Sequence, residues 1–159
     1  MILLPIAILF LLIELFRLQN KTFKRIFFNM FGLILRKHEH NDFTGATYLI
    51  ISSLFSIAIF SPKIAFIALS FLAIGDTVAA IVGKSQGKRQ FLRTPKSLEG
   101  SLACFVATFS FAIFFIHPVL AFFGAITATV AEATEIPLDD NIKIPVMSGI
   151  VMQLLLFFM

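Results

Sequence analysis

Charged residues are scarce in this sequence. They make up 14% of the 159 residues, whereas hydrophobic residues make up 58%, and the mean hydropathy is +0.96. A water-soluble domain of this size needs a far more charged surface, so the composition argues against one. Phenylalanine, with 21 residues, supplies much of the apolar mass. The chain therefore has the composition of an integral membrane protein.

Cysteine is nearly absent as well. Cys104 is the single cysteine and lies within an apolar run, which excludes a disulfide framework and is typical of a small buried side chain. The length allows one compact bundle without a separate soluble domain, so residues 1–159 are predicted to form a single catalytic domain in the membrane. The net charge of +4 comes from short loops between apolar runs, which favours lipid headgroups over nucleic acid as the partner.

Apolar runs recur along the chain at lengths that suit membrane helices. We predict an all-α, polytopic membrane helix bundle of about six transmembrane helices. Between the first two runs, residues 19–37 mix lysine and arginine with phenylalanine, which predicts an amphipathic helix lying in the membrane interface. The six predicted spans cover residues 2–16, 46–60, 64–82, 100–116, 119–133 and 145–159.

Charge asymmetry between the loops predicts the orientation. With the N-terminus outside, Lys63 is the only one of the 13 Lys and Arg residues on the outer side. All 9 Asp and Glu residues then lie at or near the inner face. We therefore expect a multi-pass protein with its N-terminus outside and its active site on the cytosolic face.

One stretch, from Gly75 to Gly100, combines glycines, lysines and carboxylates. It lacks the first glycine of a P-loop, since that position is Val78, so the P-loop interpretation fails. Gly83 and Gly87 are each followed by a lysine, and their spacing predicts a turn that presents backbone N–H groups to a polyphosphate. A plain basic loop on the inner side is the alternative. Asp76 argues against it, because an ionisable group within an apolar segment is costly and usually functional.

Carboxylates from distant segments are expected to meet at the same membrane face. A few of them suffice for Mg²⁺, which keeps its waters and takes phosphate oxygens as further ligands. The candidate metal ligands are Asp76, Glu132, Asp139 and Asp140. A second polar group, read as the mouth of the substrate site, consists of Glu39, Thr44, Gly45 and Tyr48.

Three separated motifs resemble those of a known family. They are G-D-T-V-A-A-I-V-G-K-S-Q-G-K from Gly75, K-S-L-E-G-S from Lys96, and P-L-D-D-N-I-K-I-P from Pro137. Their order is similar to that in the CTP-dependent lipid-alcohol kinases, namely dolichol kinase, phytol and other polyprenol kinases and the CTP-dependent diacylglycerol kinase of yeasts. The segment R-K-H-E-H-N-D-F-T-G-A-T-Y from Arg36 also looks like the family's sequence, so the likeness covers most of the chain.

The resemblance implies transfer of the γ-phosphate of CTP, with Mg²⁺, to the hydroxyl of a membrane lipid alcohol. It implies that Asp76 or Glu99 is the catalytic carboxylate. Asp139 and Asp140 fall in the family's acidic motif. The implied nucleotide-binding residues are Gly83, Lys84, Gly87, Lys88, Lys96, Ser97, Gly100 and Asn141.

Two departures from the family leave alternatives open. The chain is short beside the eukaryotic members, and the basic-and-histidine helix that often precedes the family's core is not obvious before Gln19. These departures leave the choice of alcohol undecided, and the short spans leave room for a homo-oligomer that encloses the lipid tail. The motifs also resemble part of the CTP:phosphatidate cytidylyltransferases, but the final M-Q-L-L-L-F-F-M lacks their C-terminal signature, which favours the kinase. A non-enzymatic protein that binds anionic lipid is the alternative from another class.

Overall fold

The computed structural model describes residues 3–32, 35, 37–90 and 96–159. Parts of the predicted interfacial segment (33, 34 and 36) and of the Gly75–Gly100 stretch (91–95) therefore lie outside the described residues. The described chain is α-helical apart from short connections and one isolated β-bridge, so the all-α prediction is confirmed. Its helices are α1 (Leu3–Gln19), α2 (Lys21–Phe31), α3 (Gly45–Ile59), α4 (Pro62–Phe71), α5 (Thr77–Gln86), α6 (Leu98–Ala112), α7 (Pro118–Ala133) and α8 (Asp140–Phe158).

The chain divides into two compact units. The first comprises Met1–Leu54 and the second Phe55–Met159, with the boundary inside α3. The expectation of a single catalytic domain stays a prediction.

In the first unit, the apolar α1 is followed at once by α2, and the two helices are bent by 113° at the break. Asn20 lies at this bend, and its side-chain oxygen accepts hydrogen bonds from the backbone N–H groups of Thr22 and Phe23 at 3.0 and 3.1 Å. An N-cap of this kind begins a new helix by satisfying N–H groups that have no partner in the preceding turn. None of the residues of α2 is buried, as expected for a helix that lies across a surface.

In the second unit, α4 and α5 form one continuous helix that is widened in the middle. The π-helical turn Leu72–Asp76 joins them, and turns of this type occur often at functional sites. The core lies among α4, α6, α7 and α8, where Phe71, Ala128, Ile144 and Met152 are fully buried. The π-helical turn begins in this core at Leu72 and ends at Asp76.

In the part of the chain that the structure describes, two helices are long and apolar enough to cross a membrane: Pro62–Gln86 and α8. A third span is counted if the bent pair α1 and α2 is one broken span. The apolar helices α3, α6 and α7 are 15 or 16 residues long, which corresponds to about 22–24 Å, less than the ~30 Å hydrocarbon core. These apolar helices fit a membrane protein.

The last helix begins earlier than the sequence suggests. We predict its start at Pro145, but α8 begins at Asp140 and runs through the proline. Asp139 is the reason, because its carboxylate caps the helix by accepting a hydrogen bond from the N–H of Asn141 at 2.9 Å. The early start places Asp140 in the first helical turn.

Candidate functional site

A polar cavity of about 270 Å³ lies within the second unit, between α5, the start of α6 and the end of α7. It brings together residues from three segments that are far apart in the sequence. The lining residues are Asp76, Ala79, Ala80, Gly83, Lys84, Lys96, Ser97, Gly100 and Glu132. Seven of these nine were predicted as site residues, so the cavity is the candidate functional site.

Lys96 connects the cavity to the acidic motif at the start of α8. Its ammonium group lies 2.8 Å from Glu132 Oε1 and 3.1 Å from Asp140 Oδ2. Asp140 Oδ1 is in turn 2.8 Å from the ammonium group of Lys143, which also donates to the carbonyl of Thr134 at 2.8 Å. One cation thus holds carboxylates from α7 and α8 together beside the cavity.

Burial and pairing act in opposite directions on the charge of Lys96. Burial alone lowers the pKa of the ammonium group, because the charged form loses hydration. Hydrogen bonds to Glu132 and Asp140, together with the negative charges of both carboxylates, outweigh this effect and raise the pKa above its usual 10.5. Lys96 is therefore a permanent cation at neutral pH.

Glu132 has spare capacity to bind a ligand. Its carboxylate is only 4% exposed, and Lys96 binds one oxygen, but Oε2 is buried and has no hydrogen-bond partner among the described residues. A buried acceptor without a partner is costly unless a ligand, ion or water satisfies it. Asp76 lines the same cavity, so a cation entering there meets two carboxylates.

The donor set suits Mg²⁺ better than a metal that needs a full protein cage. No group of three His, Cys, Asp or Glu side chains in the described part of the chain is arranged to hold a metal ion. Mg²⁺ commonly takes one or two carboxylates and completes its shell with water and substrate phosphates. The pair Asp76 and Glu132, with the unsatisfied Oε2, fits that use.

The structure corrects the role expected of Gly83. We predict a turn here, but Gly83 lies inside α5, and the helix continues to Gln86. Gly83 and Gly100 instead let two helices cross closely. A Cβ atom on Gly100 would lie 2.8 Å from the carbonyl oxygen of Ala79 and 3.3 Å from the Cα of Gly83. Gly83 thus lines the cavity as a helix-packing residue.

Ser97 and Gly87 complete this crossing. The Ser97 hydroxyl caps α6 by accepting a hydrogen bond from the N–H of Gly100 at 3.1 Å. A Cβ on Gly87, where α5 ends, would lie 2.7 Å from the Cβ of Ser97. The beginning of the connection after α5 is therefore pressed against the start of α6.

Glu99 holds the same connection in place. Its carboxylate accepts hydrogen bonds from the backbone N–H groups of Lys88 and Arg89 at 3.2 and 3.3 Å. Neither Glu99 nor Lys88 is among the residues that line the cavity, and Lys88 is exposed. Between the two predicted catalytic carboxylates, the geometry places Asp76 in the cavity and Glu99 beside it.

Two residues of the acidic motif bind each other. The side-chain N–H of Asn141 donates to Asp139 Oδ1 at 2.6 Å, and the same oxygen caps α8. Neither residue lines the cavity. Their assignments as metal ligand and nucleotide ligand stay predictions.

The predicted substrate mouth belongs to the first unit. Glu39 Oε1 accepts a hydrogen bond from the N–H of Gly45 at 3.0 Å, at the start of α3. The Thr44 hydroxyl donates to Glu14 Oε1 at 3.2 Å, and the Tyr48 hydroxyl donates to an oxygen of Asp42 at 3.4 Å. The structure thus brings these four predicted residues together, and their role at the mouth stays a prediction.

Comparison with known proteins gives three relatives with the same name. CTP-dependent diacylglycerol kinase 1 of Eremothecium gossypii is 29% identical, with 93% of this chain and 56% of the relative aligned. The proteins of that name from Saccharomyces cerevisiae and Schizosaccharomyces pombe are each 26% identical, over 92% and 90% of this chain and 60% and 74% of the relatives.

The chain is similar to CTP-dependent diacylglycerol kinases over 90–93% of its length.

The family resemblance seen in the sequence motifs is therefore confirmed. This chain spans 56% and 60% of the first two kinases. No protein-family profile and no solved structure matches the chain. The names of these kinases specify diacylglycerol, so the dolichol and polyprenol parts of the prediction gain no support from them.

Sequence reasoning missed two charged groups that the structure shows to be buried. Lys143, which is 4% exposed, lies three residues after Asp140, and i,i+3 spacing on a helix is a signal that could have revealed their pairing. Arg17 is fully buried and pairs with Glu14 at the same spacing. In both cases the i,i+3 signal is present, but it is informative only once a helix is known to pass through both positions.

Proposed function

We propose that this chain is a CTP-dependent lipid kinase that transfers the γ-phosphate of CTP to the hydroxyl of a membrane lipid alcohol. Diacylglycerol is the first candidate acceptor, because the relatives are named for it. The observation that carries the proposal is the cavity itself. It collects two lysines, two carboxylates and the glycine crossing from two of the family motifs and from Glu132 at the end of α7.

The two lysines would receive the phosphates. Lys84 and Lys96 line the cavity, and each ammonium group can neutralise part of a triphosphate's negative charge. Lys96 is already paired with Glu132 and Asp140, so phosphate would compete with carboxylate for the same cation. We propose that this exchange releases Glu132 to bind the metal that accompanies CTP.

Asp76 and Glu132 would hold Mg²⁺. When bound, the ion neutralises charge on the phosphate oxygens and helps to fix their orientation. Asp76, at the end of the π-helical turn, is also the proposed base that orients or deprotonates the lipid hydroxyl. Glu99, which fixes the backbone of Lys88 and Arg89, would shape the phosphate-binding connection.

Six spans with an outer N-terminus remain the proposed topology. Support comes from the apolar character of α1, α3, α6 and α7 in addition to the two long helices. Within the second unit, the cavity lies at one end of the helices. At the other end, Lys63 and His117 share a pocket. We propose that the cavity end is cytosolic, and that a homo-oligomer encloses the lipid tail.

The test is label transfer from CTP to lipid. The purified protein is incubated in detergent with diacylglycerol or one of several prenols, with CTP labelled at the γ or the α phosphorus. Label in a lipid product from the γ position supports the kinase. Label from the α position would instead show a cytidylyltransferase, and no label with any acceptor would favour a lipid-binding protein without activity.

A pair of glutamate variants tests the cavity directly. We expect Glu132→Gln to lower the rate by about 100-fold or more, because it removes a proposed metal ligand and a partner of Lys96. Glu135→Gln is the matched control, since Glu135 is exposed and lies only three residues further on. If both variants kept the wild-type rate, the assignment of the cavity as the active site would be wrong.

A further inference from the structure

An apolar cavity of about 490 Å³ lies in the first unit, in the angle between α1 and α2. Its size falls in the range of pockets that hold small ligands. Two of its eleven lining residues carry polar side chains, Glu14 and Thr44. The full set is Phe10, Ile13, Glu14, Phe23, Ile26, Phe27, Met30, Phe31, Leu35, Thr44 and Ala46.

The polar groups of this cavity are buried and held in place. Glu14 is 3% exposed and Thr44 is 6% exposed. Glu14 Oε2 accepts hydrogen bonds from Arg17 at 2.8 Å and from the N–H of Thr44 at 3.2 Å. Glu14 Oε1 accepts one from the Thr44 hydroxyl at 3.2 Å. A carboxylate oxygen has room for a second donor, so Oε1 can accept one more hydrogen bond.

Both Nη atoms of Arg17 are engaged within the protein, whereas its Nε is buried and has no hydrogen-bond partner among the described residues. Its Nη atoms donate to Glu14 and to the backbone carbonyls of Glu39 and Asp42. The guanidinium also lies over the rings of Phe27 and Phe28, with 5.3 and 5.8 Å to the ring centroids, and it is fully buried. Arg17 does not line the cavity. Among the described residues, the lining of the cavity therefore offers a hydrogen-bond acceptor and apolar walls, without a cation.

We propose that this cavity binds a neutral lipid that carries a hydroxyl group, with the hydroxyl donating to Glu14 and an acyl chain among the phenylalanines. A lipid with a phosphate headgroup is disfavoured, because its charge would lie beside the Glu14 carboxylate, and Arg17, which pairs with that carboxylate, is not among the residues that line the cavity. In taking that lipid to be the phosphate acceptor, the inference rests on the proposed function; the lipid would leave Glu14 before its hydroxyl reaches Asp76. The acceptor would then bind more tightly here than its phosphorylated product.

The test uses a photoreactive diacylglycerol, with a diazirine on one acyl chain, and the whole protein in detergent without CTP. We expect label on peptides from α1 and α2 after irradiation and digestion. Unlabelled diacylglycerol should compete for labelling, and phosphatidate with the same acyl chains should compete at least about tenfold more weakly. Label concentrated on other helices, or equal competition by the two lipids, would overturn the proposal.

Two neighbouring tryptophan variants provide a matched control. Ile13 lines the cavity and is 38% exposed, whereas Leu12 is 58% exposed and does not line it. We expect Ile13→Trp to fill the cavity and lower the specific labelling by about tenfold, and Leu12→Trp to leave it unchanged. Met30→Trp, on the opposite wall at a position that is 70% exposed, should act like Ile13→Trp. Equal labelling of all three variants would refute the site.

The labelling measurements need no CTP, so the proposed lipid site and the proposed kinase activity can be refuted independently. Competed labelling of α1 and α2 without phosphoryl transfer would leave the lipid site standing and remove the proposed function. Phosphoryl transfer to diacylglycerol with labelling elsewhere would do the reverse.

Discussion

Replacing Lys96 by methionine is the sharpest test of the ion-pair arrangement beside the cavity. The substitution keeps an unbranched apolar side chain but removes the ammonium group that lies 2.8 Å from Glu132 and 3.1 Å from Asp140. The Glu132 carboxylate, which is only 4% exposed, would then lack its hydrogen bond to Lys96 at one oxygen and any partner among the described residues at the other. The stability of the protein should therefore fall.

The size of the loss follows from the exposure of the three side chains. Removing one partner of a fully buried pair costs about 3–5 kcal/mol, whereas an exposed pair contributes about 0–1 kcal/mol. Lys96 is 31% exposed and Asp140 19% exposed, so an intermediate cost of about 1–3 kcal/mol is expected. At about 2–4 °C per kcal/mol for a chain of this size, thermal unfolding in detergent should shift down by about 2–12 °C.

A double-mutant cycle decides whether the pair causes this loss. In the Glu132→Gln background, the same Lys96→Met change should cost at least about 1 kcal/mol less, because the buried carboxylate has already been neutralised. CTP binding should stay weak in the double variant, since the phosphates would still lack Lys96. If Lys96→Met lowered the melting temperature equally in both backgrounds, the two residues would not be coupled and the reasoning would fail.

Two further predictions concern the helix crossing and pH. Gly100→Ala should destabilise the protein by about 1–3 kcal/mol, and by more than Gly83→Ala does. The added methyl group would meet backbone atoms at Gly100, but chiefly the rotatable Ser97 hydroxyl at Gly83. Thermal unfolding of both variants measures the two losses, and a larger loss for Gly83→Ala would contradict the prediction. Since pairing raises the pKa of Lys96 above 10.5, its contribution is complete below that value and lost only as the pH rises through the raised pKa. The difference in melting temperature between wild type and Lys96→Met should thus be equal at about pH 7 and about pH 9, and a marked fall at the higher pH would refute the assignment.

The sequence predicted the helices better than their ends. Helices α3, α6 and α7 lie where apolar runs predict them, because continuous apolar stretches leave few other structures in a membrane. The start of α8 was missed, since Pro145 reads as a helix start. The capping carboxylate of Asp139 begins the helix earlier, and one missing N–H is tolerated further along.

The candidate site was predicted in its residues but not in its geometry. Residue type alone suggested that Asp76, Lys84, Lys96 and Glu132 meet a polyphosphate, and they do line one cavity. Glycine followed by lysine predicted a turn at Gly83, because glycine breaks most isolated helices. Gly83 packs against the start of α6, near Ser97 and Gly100. The residues next to Gly83 in the sequence give no sign of this packing, because the contact is made between two different helices.

The π-helical turn Leu72–Asp76 divides the helix formed by α4 and α5 into two segments whose faces are out of phase. A single wide turn shifts the phase of the residues that follow by about one position, or roughly 100° of rotation. The segments before and after the π-helical turn therefore need separate helical-wheel projections. Phe71, which is buried, falls on the first, and Gly83, which lines the cavity, falls on the second. Deleting one residue within 72–76 would bring the two segments into one phase and turn α5, with Lys84, away from the cavity that it now lines.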